Sequence, residues 1–253
     1  MHKDDILSQD KSVLRRGDTV VRPAGAWTKH IHAFLRHLNA QGLPVPLVLP
    51  NADATLDVVS FISGEQIHPG KWSDAGLIAI AQLLRRLHDA GANFAPAKDA
   101  TWQKWYLREI GTPSIIGHGD FAPWNIITKG EMPIALIDWE FAGPIDPMVE
   151  LGRTMWLFVQ LHDDDIAQMH GLPCAKKRAA QLRLMADAYQ LMPLERQKML
   201  DIIMQVIACE TAHEAIDADI KPDAIGPLWG LAWRARSLYW VMRHRDLIKD
   251  ALY

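Results

Sequence analysis

Three side chains within one short stretch could do chemistry together: Asp120, Asn125 and Asp138. They lie in His118-Gly119-Asp120-Phe121-Ala122-Pro123-Trp124-Asn125-Ile126-Ile127 and, after a turn, in Ala135-Leu136-Ile137-Asp138-Trp139-Glu140. The apolar runs Ile126-Ile127 and Ile134 to Ile137 flank a turn at Thr128 to Glu131 containing Lys129-Gly130, which predicts a β-hairpin. A hairpin would bring Asp138 back beside Asn125 and leave Asp120 on the loop just ahead. One carboxylate to orient a hydroxyl, with Asp and Asn oxygens to hold Mg²⁺ on phosphates, is the set that phosphoryl transfer uses. Each residue alone reads equally as turn or strand-end chemistry. Their joint spacing favours a site.

The scaffold must come from a chain of 253 residues, enough for two unequal lobes. Hydrophobic residues at 49% and charged residues at 23% are globular values, so disorder is not expected. A formal net charge of −3 argues against a nucleic-acid binder. Cys174 and Cys209 stand alone, which excludes a disulfide framework or a cysteine metal cage. The first ten residues lack the apolar core of a signal peptide, and no stretch approaches the length of a membrane span. Together these predict a soluble cytoplasmic protein without a nucleic-acid or membrane partner; the oligomeric state cannot be read.

In chain order, Val13 to Arg22 predicts two short strands around Gly17-Asp18. Ile31, Phe34, Leu35 and Leu38 follow helical spacing from Thr28 up to Gln41-Gly42. Pro44 and Pro46 lead into Leu47-Val48-Leu49, and Leu56 to Ile62 is a strand. Residues 1–63 therefore form a small sheet with one helix, Ser63-Gly64 is a hinge, and residues 64–253 form a larger, mostly helical unit. Its first helix is capped by Ser73 and buries Leu77, Ile80, Ala81, Leu84 and Leu87, ending near Gly91. Thr101 to Ile110 is expected as a short helix and Ile115-Ile116 as a strand. After the hairpin, helices are expected from Pro147 to Leu161 and over 176–191, 194–217 and 227–248.

These residues resemble the aminoglycoside phosphotransferase and choline kinase-like enzymes, relatives of the protein kinases. The resemblance rests on His118-Gly119-Asp120 with Asn125, on Ile137-Asp138-Trp139-Glu140, and on Gly143-Pro144-Ile145-Asp146-Pro147 leading to Glu150-Leu151. Leu87-His88 and Val20-Val21-Arg22 add weaker support. It implies an α+β, protein-kinase-like bilobal fold and ATP-dependent phosphorylation of a hydroxyl on a small molecule, with GTP as a possible donor. By the same resemblance Asp120 is the catalytic base, Asn125 and Asp138 are Mg²⁺ ligands, and His118 shapes the loop. Glu150, where the family usually has Asp, braces that loop. Arg22 stands where relatives carry a phosphate-anchoring Lys, and Phe61 and Ile62 adjoin the adenine. The family's partner Glu is missing from Lys29-His30-Ile31-His32, and no Gly-rich loop precedes Arg22. These two departures motivate the alternative of a degenerate kinase that binds nucleotide without transferring phosphate.

Further residues have a sharp and a bland reading. Glu210, His213 and Glu214 follow the apolar phase of the 194–217 helix and either line an acceptor cleft or face water. Trp233 and Arg236 belong to a Trp/Arg face of the last helix that either completes the core or meets the acceptor. Asp163-Asp164-Asp165 is a solvated helix end or a patch for a cationic substrate. His88 is expected to be structural, His30 and His32 to lie on a helix surface, and Trp124 and Trp139 to pack around the ligand residues.

Overall fold

The computed structural model describes residues 5–8, 12–220 and 228–253. The first part is a four-stranded antiparallel sheet in the order β1 (Asp5–Ser8), β2 (Val13–Arg16), β3 (Thr19–Pro23) and β4 (Leu56–Ser60). Gly17, at φ +60°, makes the predicted turn between β2 and β3. The Leu47–Leu49 run adds a short edge along β4, with Val48 bridging Val59. Helix α1 (Thr28–Ala40) buries Ile31, Phe34, Leu35 and Leu38, the predicted face. Strand β1 had no signal in the alternation of the sequence.

The remainder is mostly helical. Helix α2 (Asp74–Ala92) begins at Ser73, whose hydroxyl accepts from the Gly76 N–H. Two small two-stranded sheets follow. In one, β5 (Ile115–Gly117) pairs with β8 (Gly143–Ile145), Ile115 opposite Ile145. In the other, β6 (Ile126–Lys129) and β7 (Met132–Leu136) form the predicted hairpin, turning at Gly130 with φ +59°. These sheets hold the two loops that carry Asp120, Asn125 and Asp138. The rest is α3 (Pro147–Val159), α4 (Asp164–Met169), α5 (Ala175–Tyr189), α6 (Pro193–Asp217), α7 (Trp229–Arg243) and α8 (Arg245–Leu252). Every residue of α3 from Val149 to Val159 is buried, and α2, α5 and α6 pack around it. Among the described residues no helix is long and apolar enough to cross a membrane.

Three expectations are corrected. Thr101 to Ile110 is not a helix; only Tyr106–Glu109 forms a 3₁₀ turn. Trp105 Nε1 donates to the Gly119 carbonyl, and Arg108 donates to the carbonyls of Phe141 and Ala142, so tertiary bonds hold this segment open. The helix expected over 227–248 is two helices broken at His244, whose ring stacks on Trp240 and bonds the Trp240 carbonyl; its expected start at residue 227 lies outside the described residues. Asp163-Asp164-Asp165 is only in part a solvated helix end: Asp164 and Asp165 are exposed, but Asp163 is half-buried and caps α4, and all three carboxylates pair with Arg236 or Arg243 of α7.

Gly91 shows how tightly α2 seats on β5, because a methyl there would collide with the Ile116 carbonyl oxygen. Helix propensity favours Ala over Gly by about 1 kcal/mol. Here the obstruction is backbone and cannot swing away, so overpacking should win. Gly91→Ala is expected to destabilise the protein by about 1–3 kcal/mol in urea unfolding. A stabilised variant would show that β5 yields.

Candidate active site

The hairpin closes as its pattern predicts. Ile137 N–H donates to the Asn125 carbonyl at 2.9 Å, which puts Asp138 next to Asn125 at the open end of β6 and β7. Asp138 has φ +60°, a conformation Asp tolerates better than most residues. Gly119, at φ +81°, passes so close to the Phe141 carbonyl that a side chain would not fit. Three donors meet the Asp120 carboxylate. The Asn125 amide donates to Oδ2 at 2.8 Å, Trp124 Nε1 reaches the same oxygen at 3.3 Å, and Arg153 Nη1 lies 2.7 Å from Oδ1. The Arg153 contact is a close ion pair whose alignment is not that of a hydrogen bond. Both hydrogen bonds fall on Oδ2, while Oδ1 is buried against Arg153.

The loop itself is anchored from behind. His118 is fully buried; its Nε2–H donates to the Ile137 carbonyl and its Nδ1 accepts from the Asp120 N–H. Burial holds this imidazole below its ordinary pKa, so it stays neutral and fits both bonds. Glu150 Oε1 accepts from the Gly119 N–H at 2.5 Å, and Oε2 accepts from His88 Nε2 at 3.0 Å. Burial alone would raise the Glu150 carboxyl, but the His88 bond, the neighbouring imidazoles and the Gly119 N–H together outweigh it and hold the group below its ordinary pKa. Tyr189, bonded to His88 Nδ1 at 2.6 Å, completes the chain. Glu at position 150 therefore does reach the loop, and His88 is structural as expected.

A cleft of about 500 Å³ opens beside these residues. Arg22, Ser60, Phe61, Ile62, Asn125 and Asp138 line it together. Arg22 Nη1 lies 3.1 Å from Asp138 Oδ1. Asn125 spends its amide hydrogens on Asp120, which leaves Oδ1 to face the cleft side. Asn125 and Asp138 are thus two hard oxygen donors, a set that fits Mg²⁺, which takes one or two protein carboxylates and completes its shell with phosphate and water. Among the described residues no cluster of three or more His, Cys, Asp or Glu could cage a metal alone.

Three functional neighbours escaped the sequence reading. Arg153 is buried between Asp120 and Glu210, with Nε 2.8 Å from Glu210 Oε2. Its signal was its place one helical turn after Glu150. Asp57 and His32 flank Arg22; a lone carboxylate in the apolar strand 56–62 was the available clue. His30 and His32 are not surface residues: His30 is buried and His32 bonds Asp57. Of the suggested acceptor residues, Glu210 reaches Asp120 through Arg153, and Glu214 lies 3.5 Å from Arg234. His213 stacks on Tyr106 and pairs with Glu109. Trp233 stacks on Trp156, and Arg236 turns to α4. Trp139 is buried, and Trp124 touches Asp120 directly.

Arg153 is a buried cation between the buried Glu210 and the part-buried Asp120. Burial lowers its pKa, but Glu210 and Asp120 outweigh that and raise it well above the ordinary value. Arg153→Met should cost about 3 kcal/mol in urea unfolding, the low end for breaking a buried pair, since Glu210 keeps Arg234 and Asp120 keeps its Asn125 and Trp124 donors. Arg153→Met/Glu210→Gln should recover part of that loss; a double variant less stable than the single one would contradict this account.

The phosphotransferase enzyme family model (APH) matches residues 11–111 and 97–171. The trifolitoxin immunity protein of Rhizobium leguminosarum bv. trifolii is 39% identical over 247 residues, covering 95% of each chain. Among solved structures, an amicoumacin kinase in complex with AMP-PNP, Ca²⁺ and Ami superposes with a TM-score of 0.66 at 12% identity, covering 98% of this chain and 88% of that one. A microcompartment-associated aminopropanol kinase gives 0.64 at 11% identity, covering 99% and 94%. A choline/ethanolamine kinase family protein from Mesorhizobium loti gives 0.58 at 18% identity, covering 100% and 92%. At these identities the structures show a shared protein-kinase-like α+β fold, and with the family match they establish that the chain belongs to the phosphotransferase enzyme family.

Proposed function

We propose that this protein is an ATP- and Mg²⁺-dependent kinase that phosphorylates a hydroxyl of a small molecule. The observation that carries this is the convergence of Arg22, Asn125 and Asp138 on one cleft, with Asp120 hydrogen-bonded to Asn125 just behind it. Residues 1–63 would cover the nucleotide from one side, with Phe61 and Ile62 beside the base, and residues 64–253 would carry the chemistry and the acceptor. Asn125 Oδ1 and the Asp138 carboxylate would hold the metal, which supplies charge neutralisation on the phosphates when bound. Asp120 would orient the acceptor hydroxyl. As the hydroxyl oxygen bonds to the γ-phosphorus and the bond to the leaving nucleoside diphosphate breaks, the hydroxyl proton passes to Asp120. GTP could enter the same cleft.

The relative's name adds a biological setting, immunity to a toxin. Phosphorylating a hydroxyl of a toxic small molecule would confer such immunity and suits the antibiotic-acting kinase among the structural neighbours. The binding-only alternative rests on the lack of a carboxylate in α1 and of a Gly-rich loop before Arg22; Asp57 beside Arg22 weakens the first motive.

The test is a phosphotransfer screen over hydroxylated antibiotics, toxins and metabolites, with Asp120→Asn as the blank. That variant should keep its fold and nucleotide binding while turnover drops about a hundredfold or more. Unchanged turnover would remove Asp120 from the role of base. Failure of Mg²⁺ to increase thermal stabilisation by ATP would favour the binding-only reading.

A further inference from the structure

Arg22 on β3 and Asp57 on β4 are cross-strand partners in register. Arg22 Nε donates to Asp57 Oδ2 at 2.7 Å. The other oxygen, Oδ1, lies 2.6 Å from Nε2 of His32 on α1. Burial raises the Asp57 carboxyl, but the His32 bond and the Arg22 charge outweigh it and keep it ionised, so the His32 N–H donates. The Asp57 side chain is 5% exposed, whereas that of Asp138, the second partner of Arg22, is 33% exposed.

We infer that Asp57, steadied by His32, is the positioning carboxylate for Arg22 and takes over the work of the acid missing from α1. This rests on the reading of the cleft as a nucleotide site. The geometry divides the guanidinium into two edges. Nε is fixed inside the sheet by a buried acceptor, which sets the plane of the group. The Nη edge points to the cleft, where Nη1 meets the more exposed Asp138 and Nη2 bonds none of the described residues. A strand neighbour can hold Arg in this way because the guanidinium has a side donor; a Lys ammonium would offer only its tip and would need an acid in front of it. Asp57 thereby prevents Arg22 from settling wholly on Asp138 and keeps its Nη edge in place for phosphate oxygens. His32 carries the link from sheet to helix, so α1 still governs the phosphate anchor, although through an imidazole and a strand carboxylate.

The phosphate role separates this assignment from a merely structural clamp. Titration calorimetry with MgATP and, separately, adenosine would be run on wild type, Asp57→Asn, Arg22→Met and the double variant. Asp57→Asn should weaken MgATP binding about tenfold or more and change adenosine binding less than about twofold, the scale of one charged hydrogen bond. The double variant should bind MgATP no worse than Arg22→Met alone, because Asp57 acts through Arg22. If Asp57→Asn does not fold, His32→Ala replaces it, with an expected loss of about threefold or more for MgATP only. MgATP binding that depends on Arg22 but not on Asp57, equal losses for both ligands, or additive losses in the double variant would each overturn the role of Asp57 alone. A wild-type protein that binds neither ligand would sink the nucleotide reading and this inference with it.

Discussion

Glu150 and Arg153 lie one turn apart on the most buried helix of the protein, and both point at the loop that carries Asp120. Burying a charge costs several kcal/mol unless it is paired. Glu150 meets that cost with the Gly119 N–H and His88, and Arg153 with Asp120 and Glu210. The dependence runs both ways: the loop adopts its tight Gly119 turn because Glu150 takes its N–H, and the helix tolerates its charges because the loop answers them. Asp146 fixes where the helix begins, accepting from Met148 N–H as its cap while also taking the Thr112 N–H.

This explains what could be read in advance. Asp120, Asn125 and Asp138 lie within nineteen residues, inside a loop and hairpin whose geometry follows from alternation and a Gly turn, so local rules place them. Their supports are not local. Arg22 and Asp57 are 35 residues apart, and Asp120 and Arg153 stand on elements whose packing no period in the sequence announces. Spacing identifies reactive groups well because chemistry constrains them jointly; it identifies their counter-ions poorly because any nearby element can supply a charge.

The helical elements divide the same way. Helices α1, α2, α3, α5 and α6 carry clear apolar faces or a buried run and begin and end near their expected limits. The exceptions are places where side chains capture backbone. Arg108 and Trp105 draw residues 101–110 onto the loop carbonyls, and His244 bonds back onto Trp240 and ends α7. The acidic triplet at 163–165 is exposed at Asp164 and Asp165 and yet paired, by Arg236 and Arg243 from a helix some seventy residues later.

The same charge pairing bears on the acceptor side. A stripe of Glu210, His213 and Glu214 suggests a seat for a cationic molecule when read along one helix. In the folded protein Glu210 is shared between Arg153 and Arg234, Glu214 leans on Arg234, and His213 pairs with Glu109. Removing one partner from a buried pair costs about 3–5 kcal/mol, so a cation would have to exceed that before gaining anything from Glu210. Trp105, Tyr106 and Trp124 lie close around Arg153, the ion-pair partner of Asp120. Aromatic faces bind by area and shape and need no charge to be released first. The groups nearest Asp120 are thus aromatic faces and charges already paired within the protein.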